Sequence, residues 1–303
     1  MATKRVKRNC GEKGVQNEPD IMAEDRISQL PDSVIYYIFS FLPTIHLVRM
    51  SRVSRRWRRM WVSTPFLYFD CHFDDVTFTE KVNRSSMFLK FVGNCLRCRK
   101  LYMQPDTFIT SFKLHTYDKL GHHAAQEVDN WVRFAIQSRV KELDLQVGEY
   151  CIPQFVFTAN SLTQLRFHAL GFEVASLSTS SSLTQLKLRA LKLESIISIE
   201  APNLFQANLS LTDGGYGSAS CFDLLHFLAK LHGLKKMKLS TFWEEDIIFP
   251  EDIRNTSSPP LPNLKHLEAS LYDEHKKNSE LLDFLVWCAP SVETLKINGK
   301  ILL

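Results

Sequence analysis

The feature that most constrains this chain is a spacing, apolar-x-x-apolar-x-apolar, that returns eight times from about residue 100 to the end. It occurs at Ile109, Phe112 and Leu114; Val140, Leu143 and Leu145; Leu162, Leu165 and Phe167; Leu183, Leu186 and Leu188; Leu204, Ala207 and Leu209; Leu234, Met237 and Leu239; Leu264, Leu267 and Ala269; and Val292, Leu295 and Ile297. First positions are separated by 31, 22, 21, 21, 30, 30 and 28 residues. In each unit the last two apolar residues alternate with polar ones, as in a short strand with one buried face. One such unit cannot bury its apolar face alone, so the units must stack on one another around a shared core.

The separations lie around the ~20 to 29 residues of a leucine-rich repeat, and eight units predict a curved solenoid. The long units carry amphipathic stretches: Val128, Trp131, Val132, Ala135 and Ile136; Phe222, Leu225, Leu228 and Leu231; Leu281, Leu282, Leu285 and Val286. These predict return helices. The short units, such as the one containing Ser176 to Ser182, have room only for a turn and a loop, so the solenoid is expected to have helix-backed ends and a thinner middle. Ala-Pro-Asn-Leu from Ala201, Leu-Pro-Asn-Leu from Leu261 and Ala-Pro-Ser-Val from Ala289 read as rigid turns into successive strands.

Upstream the pattern changes. Residues 1–24 mix Lys, Arg, Glu, Asn, Gly and Pro without apolar periodicity and are expected to be a disordered basic tail; Lys4-Arg5-Val6-Lys7-Arg8 within it could serve nuclear import. From Asp25 to Trp61 three short helices are predicted. Pro31 with Asp32 is a helix-start signal, and Val34, Ile35, Ile38, Phe39, Phe41 and Leu42 follow at helical spacing. Pro43 is expected to stop that helix. Leu47, Val48, Met50 and Val53 make a second run, and Trp57, Met60 and Trp61 a third, with Ser51 or Ser54 as its cap. About forty residues cannot build a robust core alone, so this module must lean on its neighbours or on a partner.

Charge is just as localised. The net charge is +4, yet no acidic residue falls between Asp32 and Asp70, where Arg49, Arg52, Arg55, Arg56, Arg58 and Arg59 all lie. The remainder of the chain is slightly acidic, and the basic character belongs to one segment.

The blocks Asp25-Arg26-Ile27-Ser28-Gln29-Leu30-Pro31-Asp32, Ile38-Phe39-Ser40-Phe41-Leu42-Pro43-Thr44, Val48-Arg49 and Ser54-Arg55-Arg56-Trp57-Arg58-Arg59-Met60-Trp61 resemble, in order, the F-box motif of large plant families. Followed by repeats, they resemble the plant-type F-box/leucine-rich-repeat family. The fold class expected is α/β: an N-terminal three-helix F-box over residues 25–61, a coupling strand and helix over 62–99, and a leucine-rich-repeat solenoid over 100–303 with a parallel concave sheet. In the coupling segment, Leu67 to Asp70 reads as the strand and Met87 to Leu96 as the helix.

The resemblance implies a substrate-receptor subunit of an SCF-type cullin ubiquitin ligase. The F-box would dock on a Skp-family adaptor, and through it a cullin, by way of Leu30, Pro31, Val34, Ile35 and Ile38. Phe39, Leu42, Trp57 and Trp61 read as packing within the module. Such adaptors are generally acidic, so the arginine run fits electrostatic steering toward the adaptor. Many relatives carry a further C-terminal domain; with Leu303 only a few residues past the last strand, that domain is expected to be absent or reduced here.

The substrate would be a protein held on the concave face. In the phase that buries Leu186 and Leu188, that face carries Gln164, Arg166, Gln185, Lys187, Arg189, Lys236 and Lys238 as candidate substrate-binding residues. Glu142, Asp144, Gln146, His168, Gln206, Asn208, Ser210, Ser240, His266, Glu268, Ser270, Thr294, Lys296 and Asn298 share the same phase.

Little points to catalysis. Gly-x-Ser-x-Gly, His-Glu-x-x-His and the phosphate-loop pattern do not occur, and Asp213-Gly214-Gly215-Tyr216-Gly217-Ser218 has the wrong spacing for the last. His122, His123 and Glu127 read as helix surface. Cys95 and Cys98 form one Cys-x-x-Cys without a second pair at zinc-finger spacing, so they are expected to be helix thiols, with no metal and no cofactor. The sequence shows neither a secretory signal nor a membrane-length apolar run, which places the expected location in cytoplasm or nucleus. Two alternatives remain at this point. One is a nucleic-acid binder in which the six arginines meet phosphates while Trp57 and Trp61 stack on bases; the other is a leucine-rich interaction scaffold outside any ligase.

Overall fold

A computed structural model of the chain describes residues 29–72, 81–103, 107–116, 122–148, 150–169, 178–190, 199–211, 221–241, 247–271 and 279–303. The expected basic tail, Asp25 to Ser28 and Asp213 to Ser218 lie outside the described residues, as do the side chains of His122 and His123.

Three helices open the described chain: α1 (Asp32–Phe39), α2 (Thr44–Met50) and α3 (Arg55–Ser63). Pro31 and Pro43 stand immediately before α1 and α2. Proline suits that place, because the first-turn N–H groups lack intrahelical acceptors and its fixed φ already matches a helix. Pro43 therefore opens α2, whereas α1 ends four residues earlier at Phe39. Ser54 caps α3, its Oγ accepting from the Trp57 N–H at 3.2 Å. Ile35, Phe39, Leu47, Trp57, Met60 and Trp61 are buried between the helices, with the rings of Phe39 and Trp57 5.5 Å apart.

Beyond them a ten-stranded sheet runs the length of the molecule. It begins with β1 (Phe66–Asp70), β2 (Ser111–Thr116), β3 (Glu142–Val147) and β4 (Gln164–Ala169). Two-residue strands β5 (Ser178–Thr179) and β7 (Ile199–Glu200) pair with each other apart from it. The large sheet continues with β6 (Gln185–Ala190), β8 (Gln206–Leu211), β9 (Lys236–Thr241), β10 (His266–Leu271), β11 (Thr294–Ile297) and β12 (Lys300–Ile301). All its neighbours are parallel except β12, which turns back on β11 through Asn298 and Gly299, both at positive φ as a two-residue hairpin turn requires. The eight repeats supply β2, β3, β4, β6, β8, β9, β10 and β11, and the coupling strand β1 adds to the same sheet.

Every apolar repeat position is buried except Val292, which is half-buried. Helices return behind the long units as the amphipathic stretches predict: α5 (His122–Gln137), α6 (Cys221–Ala229) and α8 (Ser279–Cys288). The six-residue α7 (Glu251–Thr256) and a 3-10 turn at Gln154–Val156 add to them. The Pro-Asn-Leu turns do more than bend the chain. Asn203 Nδ2 donates to the Ser181 carbonyl at 2.7 Å and Asn263 Nδ2 to the His232 carbonyl at 3.1 Å, each fastening one turn to the unit before it. At Gly233 a Cβ would stand 3.0 Å from the Pro202 carbonyl oxygen, so that crossing admits no larger residue without a shift.

The helical module is joined to the sheet by buried polar contacts. The 22-residue α4 (Lys81–Tyr102), longer at both ends than the expected Met87 to Leu96, brings Arg99 under α3. Its guanidinium is fully buried; Nη1 donates to the Trp61 carbonyl at 3.1 Å and Nη2 to the Thr64 carbonyl at 2.7 Å. These carbonyls lie at and just beyond the C-terminal turn of α3, where a cation also meets the negative end of the helix dipole. Burial brings the Arg99 pKa down to about 10, leaving it charged at neutral pH. Thr44 Oγ1 accepts from the Tyr68 N–H at 2.9 Å, tying the start of α2 to β1. Replacing Arg99 with Leu strands two buried carbonyls, and the expected cost is about 2 to 4 kcal/mol. Urea unfolding measures it, with Arg99→Lys expected to fall between Leu and the native chain; a loss below about 1 kcal/mol would contradict this role.

Candidate docking surfaces

The first candidate surface is on α1. From Val34 to Leu42 the only polar residue is Ser40, so apolar side chains must lie on more than one face of the helix. Ile35 and Phe39 turn inward and are buried. Val34 and Tyr37 on α1, and Phe41 in the turn just past its end, lie at i, i+3 and i+7 and turn outward with exposures of 40%, 66% and 66%. Ile38, half-buried, borders them, and the rings of Tyr37 and Phe41 meet edge to face at 4.9 Å. Leu30 is half-buried and Pro31 exposed. Arg56 fastens this approach to α1 by donating to the Leu30 carbonyl and to Asp32 Oδ1.

Of the adaptor-docking residues expected from the sequence, Leu30, Pro31, Val34 and Ile38 thus lie on or beside one outward patch. Ile35 does not: it is fully buried and is corrected to a core residue, because it shares the inward stripe with Phe39. Tyr37 and Phe41 are not among the docking residues that the sequence names. Eight apolar residues in nine consecutive positions are the signal that shows a second face. Val53, 68% exposed just after α2, is likewise free to meet a partner.

The arginines flank this module. Arg49, Arg52, Arg55, Arg58 and Arg59 are exposed, and Arg56 is half-buried. Trp57 and Trp61 are 2% and 5% exposed, so neither offers a face to a base, and the stacking half of the nucleic-acid alternative is overturned.

The second candidate surface is the concave face of the sheet. Arg166, Gln185, Lys187, Arg189 and Lys236 are exposed there, with Gln164 and Lys238 half-buried. The parallel register lines them up across strands: Gln164, Gln185 and Gln206 form one row, and Arg166, Lys187, Asn208, Lys238, Glu268 and Lys296 the next. Two shallow depressions, of ≈ 210 and ≈ 280 Å³, follow these rows and share Gln206 and Asn208. Asn298 departs from the expected concave position: it sits in the hairpin turn, where its Oδ1 accepts from the Leu271 N–H at 2.7 Å.

Toward β1 the same face is closed. Asp144, expected among the exposed polar residues, is buried; its Oδ1 is 3.3 Å from His115 Nε2, an electrostatic contact outside hydrogen-bond geometry, and its Oδ2 is 3.8 Å from Arg166 Nη1. Tyr68 donates to Asp70 Oδ2 at 2.8 Å, and its ring packs on His115 at 5.1 Å. Large side chains from adjacent strands fill this end, leaving the open track from β4 onward.

Chemistry-bearing groups are unremarkable. The Cys95 thiol is pushed up to about 12, chiefly by burial, and so stays protonated and unreactive. Among the described residues no group of three or more His, Cys, Asp or Glu is placed to hold a metal, and no helix is long and apolar enough to cross a membrane.

Comparison with known proteins now bears on the first surface. A profile of the F-box domain matches residues 27–69, from before α1 into β1. An FBD-associated F-box protein of Arabidopsis thaliana is 32% identical over 231 residues, 71% of this chain and 45% of that protein. An F-box/LRR-repeat protein of the same plant is 32% identical over 149 residues, 47% of this chain and 27% of its own length. The chain carries an F-box domain and is similar to plant FBD-associated F-box and F-box/LRR-repeat proteins. It spans less than half the length of these relatives.

Within this F-box/LRR chain, the F-box profile ends inside β1, the strand that Thr44 and Pro65 stitch to both the helices and the repeats. Replacing Tyr37 and Phe41 together with Ser should remove exposed apolar area at little structural cost. Binding of a fluorescent apolar dye is expected to fall, while stability changes by no more than about 1 kcal/mol; a larger loss would place these rings in the core.

Proposed function

We propose that this chain is the substrate-receptor subunit of an SCF-type cullin ubiquitin ligase, its F-box binding a Skp-family adaptor and its repeats binding a protein substrate. The observation that carries this is the outward apolar stripe of α1, in a helical module whose inward stripe already satisfies its own core. A stripe of this kind on a water-exposed helix marks a protein contact. The adaptor would cover Leu30, Pro31, Val34, Tyr37, Ile38 and Phe41, and the exposed arginines beside them favour approach of an acidic partner.

Buried contacts through Arg99 and Thr44 couple the F-box to the solenoid, which suits a receptor. A substrate bound on the repeats is then held at a set position relative to the adaptor. The chain itself supplies proximity, raising the effective concentration of substrate near a conjugating enzyme whose cysteine carries the ubiquitin. Such a role is non-catalytic and belongs to the cytoplasm or nucleus.

Co-purification with a Skp-family adaptor tests the reading. Tyr37→Asp with Phe41→Asp, and separately Leu30→Ala with Pro31→Ala, are each expected to cut adaptor capture at least ~10-fold, with circular dichroism unchanged. Full capture by both variants would overturn it. Raising salt should slow association more than dissociation, since the arginines act on encounter.

A further inference from the structure

The rows on the concave face carry a charge pattern that bears on what they hold. Among the described residues from β4 to β11 the face presents six cations, Arg166, Lys187, Arg189, Lys236, Lys238 and Lys296, against a single carboxylate, Glu268. Lys238 Nζ meets Glu268 at 2.6 Å, and Arg166 leans toward Asp144 at the closed end. Lys187, Arg189, Lys236 and Lys296 make no ion pair with a described carboxylate.

We infer that this track binds an extended, acidic segment of a protein. The inference rests on the substrate half of the function proposed above and gives that substrate a chemical class. Four features support it. The six strands from β4 to β11 are separated by five gaps, which at ~4.8 Å each make a path of ~24 Å, the reach of about seven residues of extended chain. The cations are spread along that path instead of gathered at one point, as a single small anion would need.

Gln164, Gln185 and Gln206 lie in one row beside the cations, and their amides both donate and accept. A peptide backbone presents both N–H and C=O to such a row, whereas a phosphodiester backbone offers acceptors only. Finally, among the described residues from β4 to β11 the one exposed aromatic ring beside this face is Phe205, just before β8, and Lys236 stands over it at 5.5 Å, so a run of stacked bases would find no second platform.

The test uses the purified full chain without adaptor, so that its result is separate from whether the F-box docks. A fluorescein-labelled peptide of about eight residues alternating Glu and Ser is titrated at low salt and read by anisotropy. A Gln-Ser peptide, a Lys-Ser peptide and an oligothymidylate of similar length are titrated beside it. The acidic peptide should bind at least ~10-fold more tightly than the neutral one. Lys187→Glu with Lys236→Glu should abolish that preference and favour the Lys-Ser peptide, and Lys187→Gln with Lys236→Gln should weaken it without reversal.

Lys90→Glu with Lys100→Glu, which changes net charge equally on exposed α4 positions, should leave it within ~2-fold. Equal binding of acidic and neutral peptides, equal loss in the α4 variant, or tighter binding of oligothymidylate would each overturn the inference. Peptide binding by a chain that ignores the adaptor would leave the track standing and remove the ligase reading; adaptor capture without peptide binding would do the reverse.

Discussion

One guanidinium, that of Arg99, stands where the two halves of this protein meet. A cation excluded from water is costly unless its environment supplies fixed dipoles. Here the end of α3 supplies them: the Trp61 and Thr64 carbonyls both accept from Arg99. The same contact satisfies carbonyls that a buried helix end would otherwise leave without donors. Each side thus supplies what the other lacks, and the F-box and the first part of the solenoid pack as neighbours in one continuous core that runs from Ile35 to Ile297.

The sheet depends on that junction too. Each repeat buries its strand against the units before and after, so a stack is most exposed at its ends. At the first edge, β1 is covered by the F-box, whose Thr44 takes up an outward-facing N–H that would otherwise template pairing with another chain. At the far edge, the Asn298-Gly299 turn folds β12 back along β11. The F-box can thus turn the second face of α1 outward because its first face packs on Trp57 within a module that Thr44 and Arg99 tie to β1 and α4. A three-helix module of this size could not spare so much apolar surface alone.

The repeats were legible because strand period and unit length both show in a single sequence: Leu186 and Leu188 alternate with Gln185, Lys187 and Arg189, and the structure buries the first pair and exposes the other three. The long and short units likewise foretell where α5, α6 and α8 return. Less legible were side chains whose fate depends on distant neighbours. Ile35 and Phe41 look alike in the pattern of α1, yet one is fully buried and the other 66% exposed. Asp144 has the phase of a concave surface residue, but His115 and Arg166 from the adjoining strands close over it.

The sequence by itself determined the class of fold, the order of its parts and the phase of every repeat strand, because these follow from local periodicity and from motif blocks that need no long-range information. Tertiary structure decided which of two apolar helix faces remains for a partner, where Arg99 finds its acceptors, and which charges gather on one side of the sheet. Those outcomes turn on contacts between residues far apart in the chain, Arg99 with Trp61 and Lys187 alongside Arg166 and Asn208. The near-neutral repeat region conceals a basic concave track for that reason: net charge sums over the chain, while a binding surface sums only over what the fold brings to one face.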